Sequence, residues 1–404
     1  MLKAIKIRLY PNNGQEIYMN KLLGSYRFVY NQSLNFAIQQ YKEDKKSVNI
    51  KILGNFLFQN LLKNEELHFL NEHNTKVLNQ TLINLLDSYK RFFINGNGFP
   101  KFKSKNNNQQ SCRFPAQAIS KNNDYESGRL TLTKQLKNLK FRCSKQYKKQ
   151  LNESIVKSAT LTKTKSNKYY LSILVETELN KQLPESNNII GIDLGIKDFI
   201  ITSEGETFDN IKIKRNNQKK IAKLHRKLSR KKKGSNNRNK AKIKLAKYYE
   251  KLNNKKEYYL HKISNKLLNE NQVIVMESLS VSNMVKNHKL AKSLQELSLY
   301  RFKEILRYKS SWYGRDLVEI DRWFPSSKLC NNCGYKNNGL TLKDRTWICP
   351  ECSKSHDRDI NAAINIKKEG IKILTNKVPD SIGELTLQES SLLGSRRMKK
   401  NNFL

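Results

Sequence analysis

The chain has 404 residues, which is long enough for two or three domains that each bury a core of their own. It carries 77 Lys and Arg against 35 Asp and Glu, and a formal charge of +42 repels itself unless a polyanion is the normal partner. The sequence has no run of about 18 apolar residues and no amino-terminal signal pattern, so we exclude a membrane partner and expect a cytoplasmic, nucleic-acid-binding protein.

The amino-terminal region is predicted to be one strand followed by helices. Residues 3–10 alternate apolar with other side chains and stop at a proline, which is typical of a half-buried strand. Apolar residues then recur at helical spacing from about residue 15 and again from about residue 75 to 93. The polar stripe of the second helix is either a solvated face or a DNA-reading face, because Gln and Asn pair with adenine and Lys with phosphate or guanine. Its predicted DNA-binding residues are Lys76, Gln80 and Asn84.

Short strands are predicted to follow. Residues 99–103 and 129–133 have strand patterns, and residues 158–162 and 169–175 flank a Lys-Ser-Asn turn like the two arms of a hairpin. Together with the first strand, these segments are predicted to close a small β-barrel that the helices interrupt.

Two apolar strands of the second half end in carboxylates. Residues 189–193 end at Asp193 beside a glycine-permitted turn into a strand at 199–202, although an ordinary turn aspartate fits the same pattern. Residues 273–277 are apolar on both faces and end at Glu277, which predicts a central strand covered by helices. We predict a helix at about 291–313 and a further strand at 317–321 after it.

A strongly basic segment separates these two strands. Between residues 211 and 256 there are 20 Lys and Arg against one acidic residue. Narrow apolar seams predict two helices that separate at a Gly-Ser pair, and the single sign of the charge favours contact with phosphates over the alternative, a solvated face. The residues predicted to contact the nucleic-acid backbone are three consecutive lysines, Lys231, Lys232 and Lys233.

Two CxxC pairs form a specific motif. Fifteen residues separate the pairs, and this spacing predicts a closed structural zinc ribbon over the alternative, four unconnected reduced cysteines. The remaining two cysteines stand alone, which is typical of a reducing compartment. The predicted zinc ligands are Cys330, Cys333, Cys349 and Cys352.

A helix is predicted directly after the ribbon. If Asp359 opens this helix, then Ala362, Ala363 and Ile366 form a small apolar stripe that can lie flat on a sheet, and Asp359 is on the same face. Asp357 would point away, toward solvent or the ribbon. A carboxylate on a packed face is costly to bury unless a cation meets it.

Three carboxylates can therefore converge. Asp193, Glu277 and Asp359 are separated by 84 and 82 residues and can meet at one end of a mixed sheet. Their mutual repulsion would raise their pKa values unless divalent cations lay among them. Oxygen ligands with room for water suit Mg²⁺ or Mn²⁺, and two such ions about 4 Å apart support phosphodiester cleavage.

The ordered set of motifs resembles the TnpB family of insertion-sequence proteins, which are related to type V CRISPR effectors. The resemblance covers roughly residues 1–370. It rests on GIDLG at 191–195, VIVMESL at 273–279, RWFPSSKLCNNCG at 322–334 and HDRDINAAINI at 356–366, with LLGSYRFVYNQSL at 22–34 and FPKFKSK at 99–105.

The resemblance implies a mixed α/β and β protein. An RNase H-like (RuvC-type) nuclease domain with an inserted zinc ribbon would follow a wedge β-barrel with a helical insertion. Asp193, Glu277 and Asp359 would be the catalytic residues with Mg²⁺ or Mn²⁺, and Zn²⁺ would bind the ribbon. The partners would be a guide RNA from the transposon end and double-stranded DNA cut next to a short motif, with one chain per RNA.

The expected domain limits follow from the motifs. They are 1–12 for the first barrel strand, 13–95 for the helical recognition insertion, 96–186 for the rest of the barrel, 187–321 for the first part of the nuclease domain with a basic helical hairpin at 211–270, 322–355 for the zinc ribbon, 356–370 for the last nuclease helix and 371–404 for a disordered tail.

Two other functions fit part of the pattern. One is an RNA-independent nuclease that acts on transposon-end or branched DNA. The other is a non-enzymatic zinc-ribbon regulator of transposition, although a DNA-binding protein gains nothing from clustered acids beside phosphates. The large basic excess favours a bound structured RNA.

Overall fold

The chain forms two compact units in the computed structural model, one from Met1–Leu179 with Lys231–Lys247 and the other from Asn180–Arg230 with Tyr248–Leu404. The structure describes residues 1–45, 47–106, 109–178, 182–195, 197–210, 213–278, 298–341 and 343–376. Most of the expected disordered tail, from residue 377 onward, lies outside the described residues, as does the expected helix start at 291–297.

The first unit is built on one antiparallel sheet with helices inserted between its strands. A π-helical segment, Phe56–Leu62, and a 3-10 helix, Glu65–Glu72, connect its second and third α-helices. The strands and α-helices are β1 (Leu2–Tyr10), α1 (Asn13–Asp44), α2 (Ile50–Asn55), α3 (Thr75–Asn95), β2 (Gln109–Pro115), β3 (Arg129–Leu130), β4 (Leu139–Arg142), α4 (Lys145–Asn152), β5 (Ile155–Thr164) and β6 (Tyr169–Glu176).

The sheet of the first unit is open. Its order is β2-β5-β6-β1-β4-β3, and among the described residues no strand pairing joins the two edges, so closure into a barrel is not confirmed. The predicted hairpin is present, because β5 and β6 pair antiparallel around a turn in which Asn167 has a φ of 59°. The predicted alternation of β1 is also confirmed, since Ile5, Ile7 and Leu9 are buried.

Two strand predictions in this unit need correction. Residues 99–103 form no strand, because Pro100 lacks an amide hydrogen and the side chain of Asn31 holds the backbone of Lys103. The amide of Lys103 donates to Asn31 Oδ1 (2.7 Å), and Asn31 Nδ2 donates to the Lys103 carbonyl (2.9 Å). The prediction at 129–133 holds only for β3, since the chain then turns with Leu132 N donating to the carbonyl of Leu136 (3.1 Å).

The second unit contains a mixed sheet and a small two-stranded ribbon. The five-stranded sheet has the order β11-β10-β7-β8-β9, with β10 parallel to both neighbours and the pairs β7-β8 and β8-β9 antiparallel. The elements are β7 (Ile189–Asp193), β8 (Asp198–Thr202), β9 (Thr207–Asp209), α5 (Ile213–Asn216), α6 (Gln218–Ser229), α7 (Asn236–Glu270, of which residues 236–247 belong to the first unit), β10 (Val273–Glu277), α8 (Leu299–Tyr313), β11 (Asp316–Ile320), β12 (Thr346–Ile348), β13 (Ser355–Asp357) and α9 (Arg358–Thr375).

Helices cover both faces of this sheet. On one face, Ile274 of β10 packs in a cluster with Leu267 of α7 and Ile305 of α8. On the other face, Val275 packs with Ile366 of α9. The prediction that residues 273–277 form a central strand covered by helices is therefore confirmed. The basic segment also folds as predicted, into α6 and α7 with the Gly-Ser pair in the turn between them.

Two glycines allow α9 to approach the sheet at backbone distance. An added Cβ at Gly191 of β7 would run into the carbonyl oxygen of Ala363 and lie 2.7 Å from the amide nitrogen of Lys367. One at Gly370 would run into the side chain of Val275. Because α9 begins with the segment that contains the third predicted carboxylate, this close approach fixes where that carboxylate lies relative to β7.

We expect Gly191→Ala to push α9 away from the sheet. The free energy of unfolding of the second unit should fall by ~1–3 kcal/mol, the range typical of overpacking, and thermal melting measures this decrease. Gly24→Ala in α1 is the matched control, because an added Cβ there meets nothing within 4 Å. A Gly191→Ala variant that melts like the unsubstituted chain would contradict the close helix–sheet packing.

Candidate functional site

The three predicted carboxylates lie at one edge of the mixed sheet. Asp193 and Glu277 are the last residues of β7 and β10, which are parallel neighbours, so both side chains come at the carboxyl edge. Asp359 lies in the first turn of α9. That helix begins one residue earlier than predicted, because Asp357 is its N-cap and accepts hydrogen bonds from the amides of Asp359 and Ile360, both at 3.0 Å.

Negative charge is concentrated at this edge. Burial, together with the negative charges of Glu277 and Asp359, raises the pKa of Asp193 to about 7. Burial also raises the pKa of Glu277, although Ser326 Oγ donates a hydrogen bond of 2.5 Å to Glu277 Oε1, which opposes the shift. The charges of Glu277 and Asp359 thus both reach Asp193.

Two arginine side chains form ion pairs with Asp359. Arg345 Nη1 lies 3.0 Å from Asp359 Oδ2, and Arg358 Nε lies 3.4 Å from Asp359 Oδ1. The side chain of Asp359 is 20% exposed, so a cationic partner is expected on physical grounds. A cation was expected from the sequence, but Arg345 was not predicted, because its position in the ribbon, fourteen residues before Asp359, has no periodic relation to the helix.

The carboxylate oxygens are not gathered into one tight cluster. Within the described ranges, the ligand atoms that all lie within 4.8 Å of one another belong to the four cysteines, and the three acids form no such group. The acids have separate partners, since Ser326 donates a hydrogen bond to Glu277 and Arg345 forms an ion pair with Asp359. Their chemistry nevertheless fits a hard divalent cation, which would replace arginine as the counter-charge.

The four cysteines fit a structural zinc site. Cys330 Sγ lies 3.6 Å from Cys352 Sγ, and Cys333 Sγ lies 3.5 Å from Cys349 Sγ. Tetrahedral zinc with bonds of about 2.3 Å would set sulfur atoms about 3.8 Å apart, so little rearrangement is needed. Trp347 of β12 packs against this cluster and forms the small core of the ribbon.

A histidine that was not predicted as a site residue touches the cluster. His356 of β13 is buried, and its Nε2 lies 3.1 Å from Cys330 Sγ. An imidazole N–H that donates to a zinc-bound sulfur stabilises the thiolate and orients it. The sequence did indicate that His356 belongs to the site, because a histidine four residues after Cys352 extends the cysteine motif at a spacing typical of metal sites.

Two buried asparagines fasten the ribbon to α9. Asn361 Nδ2 and Asn365 Nδ2 each donate to the carbonyl of Leu329 at 2.7 Å, and Asn361 Oδ1 accepts from the amide of Asn331 at 3.0 Å. Asn365 Nδ2 also donates to the carbonyl of Ser326 at 2.8 Å. The helix that carries Asp359 is thus bonded to the first cysteine knuckle and to the residue that holds Glu277. The spacing of four between two polar residues on the docked face was the missed signal.

The predicted DNA-reading stripe of α3 is largely occupied by the protein itself. Gln80 is 6% exposed, and Asn84 Nδ2 donates to Tyr26 Oη at 2.7 Å, so neither amide is presented to a groove. The stripe is therefore not a solvated face at these two positions either. Lys76 is exposed at the start of the helix, where Asn74 caps its amide, and is the one of the three predicted residues with a free path to solvent.

The three consecutive lysines lie in the turn between α6 and α7. Lys231, Lys232 and Lys233 are all exposed, and Arg238 Nη1 donates to the carbonyl of Lys231 at 2.9 Å, which fixes one end of the turn. Their ammonium groups are accessible to a polyanion, as the predicted contact with a nucleic-acid backbone would require. In the part of the chain that the structure describes, no helix is long and apolar enough to cross a membrane.

Known families match the chain along most of its length. Residues 172–288 match the OrfB/IS605 family, described as "Probable transposase", and residues 1–46 match its amino-terminal "Helix-turn-helix domain". Residues 300–366, which include the ribbon and the start of α9, match the "Cas12f1-like, TNB domain". In this chain, residues 1–46 consist mainly of one strand and one long helix.

Relatives and solved structures agree with these families. A protein of Streptomyces pristinaespiralis named "Putative RNA-guided DNA endonuclease" is 35% identical over 369 residues, 91% of this chain and 89% of that protein. "Putative RNA-guided DNA endonuclease InsQ" of Escherichia coli K12 is 30% identical over 389 residues, 92% of this chain and 93% of that protein. The fold is similar to the protein of a Cas12f1-sgRNA-target DNA complex, with a TM-score of 0.56 at 16% identity, covering 87% of this chain and 82% of that one. The chain belongs to the TnpB-type OrfB/IS605 family of RNA-guided DNA endonucleases.

Proposed function

We propose that this chain is an RNA-guided DNA endonuclease of an IS605-type insertion sequence, with Asp193, Glu277 and Asp359 as its catalytic carboxylates. The observation that carries the proposal is the position of the three acids: Asp193 and Glu277 end the neighbouring parallel strands β7 and β10, and Asp359 lies in the first turn of α9. Burial and the charges of Glu277 and Asp359 raise the pKa of Asp193 to about 7. Such a cluster is unfavourable by itself in a protein without a cation to bind. In so basic a chain, an acidic cluster belongs where a phosphodiester is cut.

The three acids would hold Mg²⁺ or Mn²⁺. When bound, divalent cations at such a site lower the pKa of the attacking water and stabilise the leaving oxygen. The protein positions the ligands: Ser326 orients Glu277, the N-cap Asp357 fixes the first turn of α9, and Asn361 and Asn365 hold that helix on the ribbon.

The remaining parts of the proposal follow the family. The nuclease domain comprises residues 187–321 and 356–370 around the zinc ribbon at 322–355, and a wedge domain with a helical insertion precedes it. The partners are a guide RNA from the transposon end, with one chain per RNA, and a double-stranded DNA target next to a short motif. Of the residues of α3 predicted to contact that motif, exposed Lys76 remains the candidate.

The test begins with the bound nucleic acid. The chain is expressed with its natural flanking DNA, purified at high salt, and the RNA that stays bound is sequenced. One discrete RNA that ends in transposon-border sequence is the expected result, and plasmids that carry the matching target should then be cut in Mg²⁺. Heterogeneous RNA that salt removes would instead favour a nuclease without a guide.

Replacing Lys231, Lys232 and Lys233 together with alanine should flatten the salt dependence of nucleic-acid binding. Each phosphate of duplex DNA that the protein no longer neutralises reduces the slope of log K against log salt by about 0.9. Binding is measured by fluorescence anisotropy from low to high salt. The matched control replaces the same three residues with arginine, which keeps the charge and should keep the slope. An unaltered slope in the alanine variant would show that the turn is only a solvated surface.

A further inference from the structure

A short turn that follows β11 is tied at both ends to Glu277. β11 ends at Ile320, which pairs with Glu277 across the sheet, and the amide of Ser278 donates to the Ile320 carbonyl at 3.0 Å. At the far end of the turn, Ser326 Oγ donates to Glu277 Oε1 at 2.5 Å. Residues 321–325 therefore project from the sheet edge beside the carboxylates.

The turn is internally rigid. The carboxylate of Asp321 accepts from the amide of Trp323 at 2.7 Å, and its carbonyl accepts from the amide of Phe324 at 3.2 Å. The ring of Phe324 packs against the cluster that contains Val318 and Ile320. One aromatic side chain thus anchors the turn in the core, while its neighbour is left to project.

That neighbour is Trp323, which is 77% exposed. The other tryptophans differ, because Trp347 is buried in the ribbon and Trp312 is half-buried. The guanidinium of Arg322 lies 4.9 Å from the centre of the Trp323 ring and is itself exposed. An indole backed by a cation, held on a rigid turn beside an acidic site, has the features of a platform for an unpaired base above a phosphate backbone.

We propose that Trp323, with Arg322, stacks on an unpaired base of the DNA strand presented to Asp193, Glu277 and Asp359. The ligand is single-stranded DNA: the indole face carries the stacking, and Arg322 supplies a charge for a neighbouring phosphate. This inference rests on the proposed function, because it assumes that the carboxylates are where a strand is cut. Stacking on one base typically strengthens binding by about tenfold or more.

Tryptophan fluorescence tests the stacking without cleavage. The chain with Asp193→Ala, loaded with its RNA and a complementary DNA strand, is titrated with a second, non-complementary single-stranded oligodeoxynucleotide. We expect quenching that disappears when Trp323→Phe is added, and that persists in the control Trp312→Phe. Quenching that survives Trp323→Phe would overturn the proposal, as would equal or stronger quenching by an RNA oligonucleotide of the same sequence.

Kinetics in the chain with Asp193 intact provide the second readout. Trp323→Ala should raise the KM for a single-stranded substrate about tenfold with little change in kcat, and Trp323→Phe should recover most of the affinity because it retains an aromatic face. An abasic site at the stacked position should cost the unsubstituted chain affinity but leave Trp323→Ala unaffected. Unchanged KM in Trp323→Ala would refute the stacking. Cleavage that persists in Asp193→Ala would refute the assumed centre instead, so the two failures are distinguishable.

Discussion

Replacing Asp193 with alanine is expected to reduce DNA cleavage by at least about a thousandfold, equivalent to ~4 kcal/mol of transition-state stabilisation, because the variant lacks one of the three carboxylates that would hold the divalent cations. RNA binding should be unchanged, since Asp193 lies at the carboxyl edge of β7 and contributes negative charge. The melting temperature without divalent cations should stay the same or rise, because the substitution removes an acid whose pKa burial and its acidic neighbours raise to about 7.

Plasmid cleavage in Mg²⁺ with the bound RNA measures the effect, and thermal melting in EDTA measures the stability. Asp209→Ala is the matched control, because Asp209 is an exposed acid at the end of β9, two strands away from β7 in the same sheet. The control should cut at the normal rate. Equal cleavage by Asp193→Ala and the unsubstituted chain would remove Asp193 from the centre, and a large fall in its melting temperature would contradict the electrostatic account.

Features set by local pattern were predictable from the sequence. The alternation that buries Ile5, Ile7 and Leu9 and the run of apolar residues in β10 depend on the period of a strand alone, and both are confirmed. The stripe Ala362 and Ala363 also packs as its helical spacing indicates. Asp193 and Glu277 lie at one edge for the same reason, because neighbouring parallel strands end together whatever the length of chain between them. Asp359 is placed instead by the packing of α9 on the sheet.

Features set by tertiary contacts could not be predicted from the sequence. Gln80 has the spacing of a surface residue on an amphipathic helix, yet neighbouring elements cover it, and no pattern within α3 reveals them. The prediction of a strand at residues 99–103 failed because Asn31, some seventy residues away, supplies the hydrogen bonds that a neighbouring strand would have supplied. Arg345 pairs with Asp359 only because the ribbon folds back onto α9.

Cys349→Ser is expected to unfold the ribbon and to loosen α9, so that zinc binding and cleavage are both abolished. Structural zinc contributes ~10–16 kcal/mol in small zinc-finger peptides at neutral pH, which is comparable with the whole stability of a domain. Cys349 is buried in the ribbon core, so the damage is not confined to the surface. Once the ribbon unfolds, Asn361 and Asn365 could no longer donate hydrogen bonds to the carbonyl of Leu329, and each unsatisfied buried amide costs ~1–3 kcal/mol.

Because the two units have separate cores, the loss of stability in Cys349→Ser should be confined to the second unit. Metal analysis should show one zinc fewer per chain, and thermal melting should show a lower transition for the second unit, with the first unit unaffected because its core is separate. Cys143→Ser is the matched control, since this half-buried cysteine lies in the first unit and is not a member of the thiol cluster, so zinc content and cleavage should be unchanged. Cys349→Ser that keeps its zinc and its melting profile would contradict the assignment of the thiols. Cleavage that survives removal of the zinc would instead show that α9 holds Asp359 in place without the ribbon.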